Sequence, residues 1–182
     1  MTDVNVKNKL SVKAQTLYTL GAITAAVLLP QLFHIMGAVS GTGTALGETF
    51  LPMHLPIILV GFLAGPYAGA VSGLVSPLLS FAFTGMPKEA MLPFMMIELL
   101  IYGLTAGLLR NVKIPTIAKV LIVQFSGRAV RAAAILIAVY ALKNTAVPTA
   151  VIWNSITAGI FGIALQWALI PLIIYRVENK ND

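Results

Sequence analysis

Met53-His54-Leu55-Pro56-Ile57-Ile58-Leu59-Val60-Gly61-Phe62-Leu63-Ala64-Gly65-Pro66-Tyr67-Ala68-Gly69-Ala70-Val71-Ser72-Gly73 contains no Asp, Glu, Lys or Arg and one strong break, Gly65-Pro66. Read as one helix, this stretch crosses a bilayer once. Read with a turn at Gly65-Pro66, where Pro suits the first turn of a following helix, it belongs to two spans that cross and return. A hydrocarbon core of ~30 Å takes about 20 helical residues at ~1.5 Å each. Working outward from the turn with that ruler gives spans at about 13–34, 50–65, 66–84, 90–109, 115–142 and 148–175. The last two exceed what the bilayer requires and are expected to tilt or protrude. Strands of a membrane barrel would alternate apolar and polar residues over about ten positions, and no segment does so.

The distribution of positive charge supports the break independently. With six spans both termini share a side, which collects Lys7, Lys9, Lys13, Arg110, Lys113, Lys119, Arg176 and Lys180, against Lys88 and Lys143 opposite. That asymmetry predicts cytoplasmic termini, and it collapses if the second and third spans are merged. The formal net charge of +6 is thus explained by topology rather than by a nucleic-acid surface, since no basic face with interleaved aromatics exists. With 58% hydrophobic and only 10% charged residues, the chain departs from soluble composition and leaves no room for an aqueous domain. The expectation is one all-α membrane domain over residues 1–182 in a cell membrane. A secretory signal is the rival reading of the N-terminus, because Lys7, Lys9 and Lys13 precede an apolar stretch ending near Ala38-Val39-Ser40. That stretch is longer than an ordinary h-region and reads better as the first span.

Three ionisable residues remain inside the spans: Glu98, Arg128 and Arg131. Each costs roughly 2.5–3.5 kcal/mol at a helix centre and calls for a partner or a wet cavity. Glu98 lies ~12 Å below the outer surface and Arg128 ~14 Å below it, so these two are expected to pair, with Arg131 one turn further out and spare. Gln124, Arg128 and Arg131 share one helical face, as do Phe94, Glu98 and Tyr102, and Asn154, Thr157 and Phe161. Three such stripes in the outer half predict a pocket open to the exterior, with His54 at its rim. The plainer alternative makes Glu98 and Arg128 mutual helix glue, and Asn154 and His54 an interhelical bond and an interfacial residue. Met91, Met95 and Met96 read as adaptable packing rather than a metal box.

Much chemistry is excluded. There is no G-x-x-x-x-G-K-[ST] loop, no H-E-x-x-H pair and no Cys, and both Asp residues, Asp3 and Asp182, lie in the tails. No catalytic triad can form within the spans. No cofactor and no metal site is expected. Gly65, Gly69 and Gly73, spaced by four, mark a face for close helix contact.

The ordered set of Gly37 to Gly47, Met53 to Pro66, Ser76-Pro77-Leu78-Leu79-Ser80, Thr84-Gly85-Met86-Pro87, Glu98-Leu99-Leu100-Ile101-Tyr102-Gly103 and Gly127-Arg128 resembles the substrate-binding (S) components of energy-coupling factor (ECF) vitamin transporters. The resemblance implies a binding subunit without enzyme activity of its own. It would dock on a transmembrane scaffold with two cytoplasmic ATPases, take its vitamin from outside and topple within the bilayer to release it inside. It further implies docking through small residues of the first span, here Ala22 and Ala26 beside Gly21 and Ala25. The branch is similar to components for pyridoxine-type or hydroxymethylpyrimidine-type rings, with Glu98 bonding a ring nitrogen or amine and Phe94, Tyr102 or Phe161 stacking. A spare arginine would instead suit the carboxylate of pantothenate. The ring compound is favoured at this point. Two other classes stay open, a self-sufficient secondary carrier or channel and a non-transporting assembly subunit, although no internal repeat of the carrier kind is evident.

Overall fold

The computed structural model describes residues 10–179. Lys7, Lys9 and Lys180, which enter the charge count above, lie outside the described residues. The described residues form helices joined by short connections, in the order α1 (Val12–Ser40), α2 (Ala45–Phe50), α3 (His54–Ala64), α4 (Pro66–Thr84), α5 (Leu92–Leu109, preceded by a 3-10 turn at Glu89–Met91), α6 (Thr116–Leu136, continued by a π-helical turn at Ile137–Ala141), α7 (Val151–Ala158) and α8 (Ile160–Asn179). Among the described residues there is no strand. Six helical stretches are long and apolar enough to cross a membrane: Val12–Ser40, Ala45–Ala64, Pro66–Thr84, Glu89–Leu109, Thr116–Ala141 and Ile160–Val177. The deciding turn is real. Gly65 adopts φ +101°, Pro66 opens α4, and α3 ends with the Gly65 N–H on the Gly61 carbonyl.

Three spans differ from their expected form. The first runs on to Ser40, where Gly41 ends it in a left-handed conformation, so the glycine-rich loop shrinks to a tight connection before α2. At 29 residues α1 is ~43 Å long, more than the bilayer needs. The second is interrupted: Leu51 is left-handed at φ 49°, Pro52 follows, and the helix restarts at His54. The sixth is not one helix from 148 to 175 but two, broken at Gly159. Gly159 is the poorest helix former in that run after proline, and α2 fills the break. A Cβ at Gly159 would press on the Leu51 side chain, and one at Gly162 would overlap the backbone of Thr49 and Phe50.

The core is built by backbone approach. Gly69 and Gly73 of α4 abut Gly103 and Leu99 of α5, and Gly61 of α3 meets Gly103 and Ala106, so that a Cβ at any of these glycines would overlap the facing helix. Without a hydrophobic driving force between helices in lipid, such close contact is what holds spans together. Around it Ile57, Ile58, Phe62, Leu99, Tyr102, Ala106, Val120, Val123 and Ile170 form the main buried cluster, joined by Ala26 of α1. Leu17, Leu28, Phe83 and Leu172, among others, face outward, as lipid requires.

Candidate functional site

α5 and α6 are antiparallel neighbours. Gly127 is pressed against the Tyr102 ring and the Glu98 carbonyl, and Ser126 donates to Thr105 at 3.2 Å. On that seam Glu98, 1% exposed, receives the Arg131 Nη1 at 2.8 Å on one carboxylate oxygen and the Tyr102 hydroxyl at 3.0 Å on the other. His54, the first residue of α3, brings its Nε2 to 3.9 Å of the same carboxylate and its ring to 5.4 Å of Tyr102. His54 is therefore buried beside the carboxylate rather than placed at a rim.

The partner of Glu98 is Arg131, not Arg128. Side chains lean toward the N-terminus of their own helix, so in an antiparallel pair Glu98 reaches toward the far end of α6 while Arg131 reaches back to meet it. The turn of height that separates their Cα atoms in the depth estimate is closed from both sides. Gly127 completes the argument: Arg131 lies four residues along the same stripe, whereas Arg128 is rotated by about 100°. Arg128 faces a cavity instead, and its Nε and Nη1 are shut off from solvent with no hydrogen-bond partner among the described residues.

That cavity, of about 470 Å³, lies between α6 and the α7–α8 pair. Gln124, Arg128 and Arg131 line it from one face of α6, as their spacing predicts. Trp153, Ser155 and Ile156 of α7 and Ile163 and Trp167 of α8 form the other wall. A polar relay ties the walls together: the Trp167 indole N–H donates to the Gln124 amide oxygen at 2.6 Å, and the Gln124 amide donates to Gln166 at 2.9 Å. Gln166 is buried, with its own amide nitrogen unpartnered.

The third expected stripe is turned away from the cavity. Asn154, Thr157 and Phe161 are exposed and absent from the cavity wall: the face that lines it runs through Ile152, Ile156, Ile163 and Trp167, and at helical spacing the expected stripe falls on the opposite side. The Thr157 hydroxyl is spent on the carbonyls of Trp153 and Asn154. Phe94 shares the buried face of Glu98 and Tyr102 but packs with Ile135, Ala138 and Val147 in a separate apolar cluster. On α1, Ala22 and Ala26 are turned inward, Ala22 against Val60, Ala64 and Ala68 and Ala26 into the main cluster. Of the four small residues expected at the docking face, these two are thus buried within the chain, while Gly21 is exposed and Ala25 half-buried. Among the described residues no three His, Cys, Asp or Glu side chains come together where they could hold a metal.

A family model described as ECF transporter, substrate-specific component, matches residues 15–174. The chain belongs to this family. No curated relative and no solved structure matches it. As an ECF substrate-specific component it is a membrane transport subunit and not an enzyme, which accords with the missing nucleotide and nucleophile motifs. Within this S component, the residues that sequence reasoning passed over are Trp153, Ser155, Gln166 and Trp167. Gln166 carried a signal, since it is the one strongly polar side chain in the otherwise apolar run Ile160 to Tyr175, and an amide at span centre needs an interhelical partner.

Proposed function

We propose that this S component captures a small water-soluble vitamin or vitamin precursor in the cavity between α6 and α7–α8, from the outer side, with both termini in the cytoplasm. It then delivers the ligand inward by toppling on a scaffold served by two ATPases. The supporting observation is the guanidinium of Arg128, open to a cavity that Gln124, Trp153 and Trp167 also line. A cation inside a membrane helix whose donor nitrogens lack hydrogen-bond partners marks a substrate site by default. Of the two substrate types that the sequence suggests, the ring compound loses its main support. Glu98, the group that would read a ring nitrogen, is engaged by Arg131 and Tyr102 and stands behind the cavity wall.

Uptake into proteoliposomes tests this reading. The chain with its scaffold and ATPases should accumulate labelled vitamin when ATP is inside, and the chain alone should bind without accumulating. Sustained uptake by the chain alone, beyond the amount of protein present, would return the secondary carrier. Orientation is checked separately, because the natural sequence has no Cys and single cysteines report cleanly. In intact cells Lys143→Cys should react with an impermeant maleimide, and Lys113→Cys should react only after lysis. The reverse pattern would invert the topology.

A further inference from the structure

The charges around the cavity can be counted by element. α6 contributes Arg128 and Arg131, α5 contributes Glu98 behind them, α3 contributes His54 on the far side of Glu98, and α7 and α8 place no charged residue in the wall. Arg131 and Glu98 neutralise each other at 2.8 Å. One guanidinium is left over, with Nε and Nη1 buried and unpartnered, in a wall otherwise made of Leu121, Phe125, Ala129, Ala132, Ile135 and similar apolar side chains. From this arrangement, and resting on the transport reading above, we infer that the ligand carries a single carboxylate, bonded by Arg128, on a compact and largely apolar body held against Trp153 and Trp167.

The charge balance selects among ligand classes. A neutral ring alcohol leaves the surplus positive charge of the Arg128, Arg131 and Glu98 group uncompensated, which is unfavourable in surroundings of low polarity. A phosphate monoester brings about −1.5 to −2 charges at neutral pH, more than one guanidinium can neutralise. A monocarboxylate matches the single surplus positive charge of the Arg128, Arg131 and Glu98 group, and guanidinium geometry suits both of its oxygens. The two indoles supply broad, rigid walls for the remainder of the molecule. Trp167 is held in place by its bond to Gln124, so the flat wall and the cation are positioned by the same face of α6.

Matched pairs that differ only at the acid test the inference: pantothenate with panthenol, and nicotinate with nicotinamide, together with uncharged pyridoxine and pyridoxal phosphate. Binding to the purified full chain in nanodiscs is read by calorimetry, and compounds released from freshly purified protein are identified by mass spectrometry. The expected result is a carboxylate that binds while its neutral counterpart is weaker by on the order of 100-fold, the scale of one charged hydrogen-bonded contact. Arg128→Gln should lose a similar factor and Arg128→Lys should recover part of it. If Arg128→Gln does not fold, the matched pairs on the natural chain still decide. A panel in which no carboxylate binds better than its neutral partner, or a released compound without an acid group, overturns the inference. Either outcome leaves the transport reading standing, because that reading fails by a different result, the absence of ATP-dependent uptake of any released or binding compound.

Discussion

Taking the charge from Glu98 leaves Arg131 buried with no counter-ion, and breaking a buried pair from one side destabilises by roughly 3–5 kcal/mol. Glu98→Gln and Arg131→Gln should therefore each lower the thermal midpoint in detergent strongly. The double substitution should lose less than the sum, with a coupling of about 0.5–3 kcal/mol. The Nε and Nη1 of Arg128 have no hydrogen-bond partner among the described residues and only a longer-range attraction ties it to Glu98, so Arg128→Gln should lower the midpoint less than Glu98→Gln does and act on ligand affinity. If Arg128→Gln proves as unstable as Glu98→Gln, Arg128 is a structural group and the cavity loses its cation. These three ionisable residues were legible in the sequence because each is expensive inside a span. Which arginine takes the carboxylate was not legible, because depth counted along a helix axis ignores the direction in which side chains lean. The opposite lean of Glu98 and Arg131 across an antiparallel seam spans a full turn, and only the approach at Gly127 reveals that Arg128 faces away.

Between elements, the α4–α5 contact through Gly69 and Gly103 leaves no room for a side chain on either helix. Gly103→Leu must force the two backbones apart, and overpacking of this kind starts at about 1–3 kcal/mol even where side chains rather than backbone can give way. The expected outcome is loss of monodisperse protein on size exclusion, whereas Gly21→Leu, with nothing within 4 Å of its Cβ position, should behave as the natural chain does. Equal behaviour of the two would mean that the glycine seam does not hold the fold. The seam could be read in advance, since glycines four apart in an apolar helix point to close packing, and so could the turn at Gly65-Pro66. The breaks at Leu51 and Gly159 could not. A left-handed Leu has no sequence signature, and Gly159 is one of several glycines in the apolar spans, distinguished only because α2 comes from a distant part of the chain to occupy the gap. At the candidate site, spacing puts Asn154, Thr157 and Phe161 on one face but does not say which face of α7–α8 turns to α6, and it is the opposite one, with Ile156, Ile163 and Trp167, that lines the cavity.

At the scale of the whole molecule, α1 has two faces with different tasks. Its inner face carries Ala22 and Ala26, whose small size lets α3 and α4 approach, as Ala22 beside Val60, Ala64 and Ala68 shows. Its outer face carries Gly21 and Ala25, one residue behind each and likewise four apart, next to exposed Leu17 and Leu28. Small residues on a lipid-facing stripe let a second helix come close where lipid offers no competing hydrophobic force, so the outer pair is the proposed contact for the scaffold. The two faces can be separated experimentally. Ala22→Leu with Ala26→Leu should fail to fold or melt early, because the added side chains enter a packed core. Gly21→Leu with Ala25→Leu should keep the thermal midpoint and ligand affinity of the natural chain. It should lose co-purification with the scaffold and ATPases, and with it ATP-dependent uptake. Retention of the assembled complex by the outer double variant would move the docking surface off this face of α1. Loss of ligand binding together with docking would show instead that the outer stripe supports the fold, which its exposure argues against.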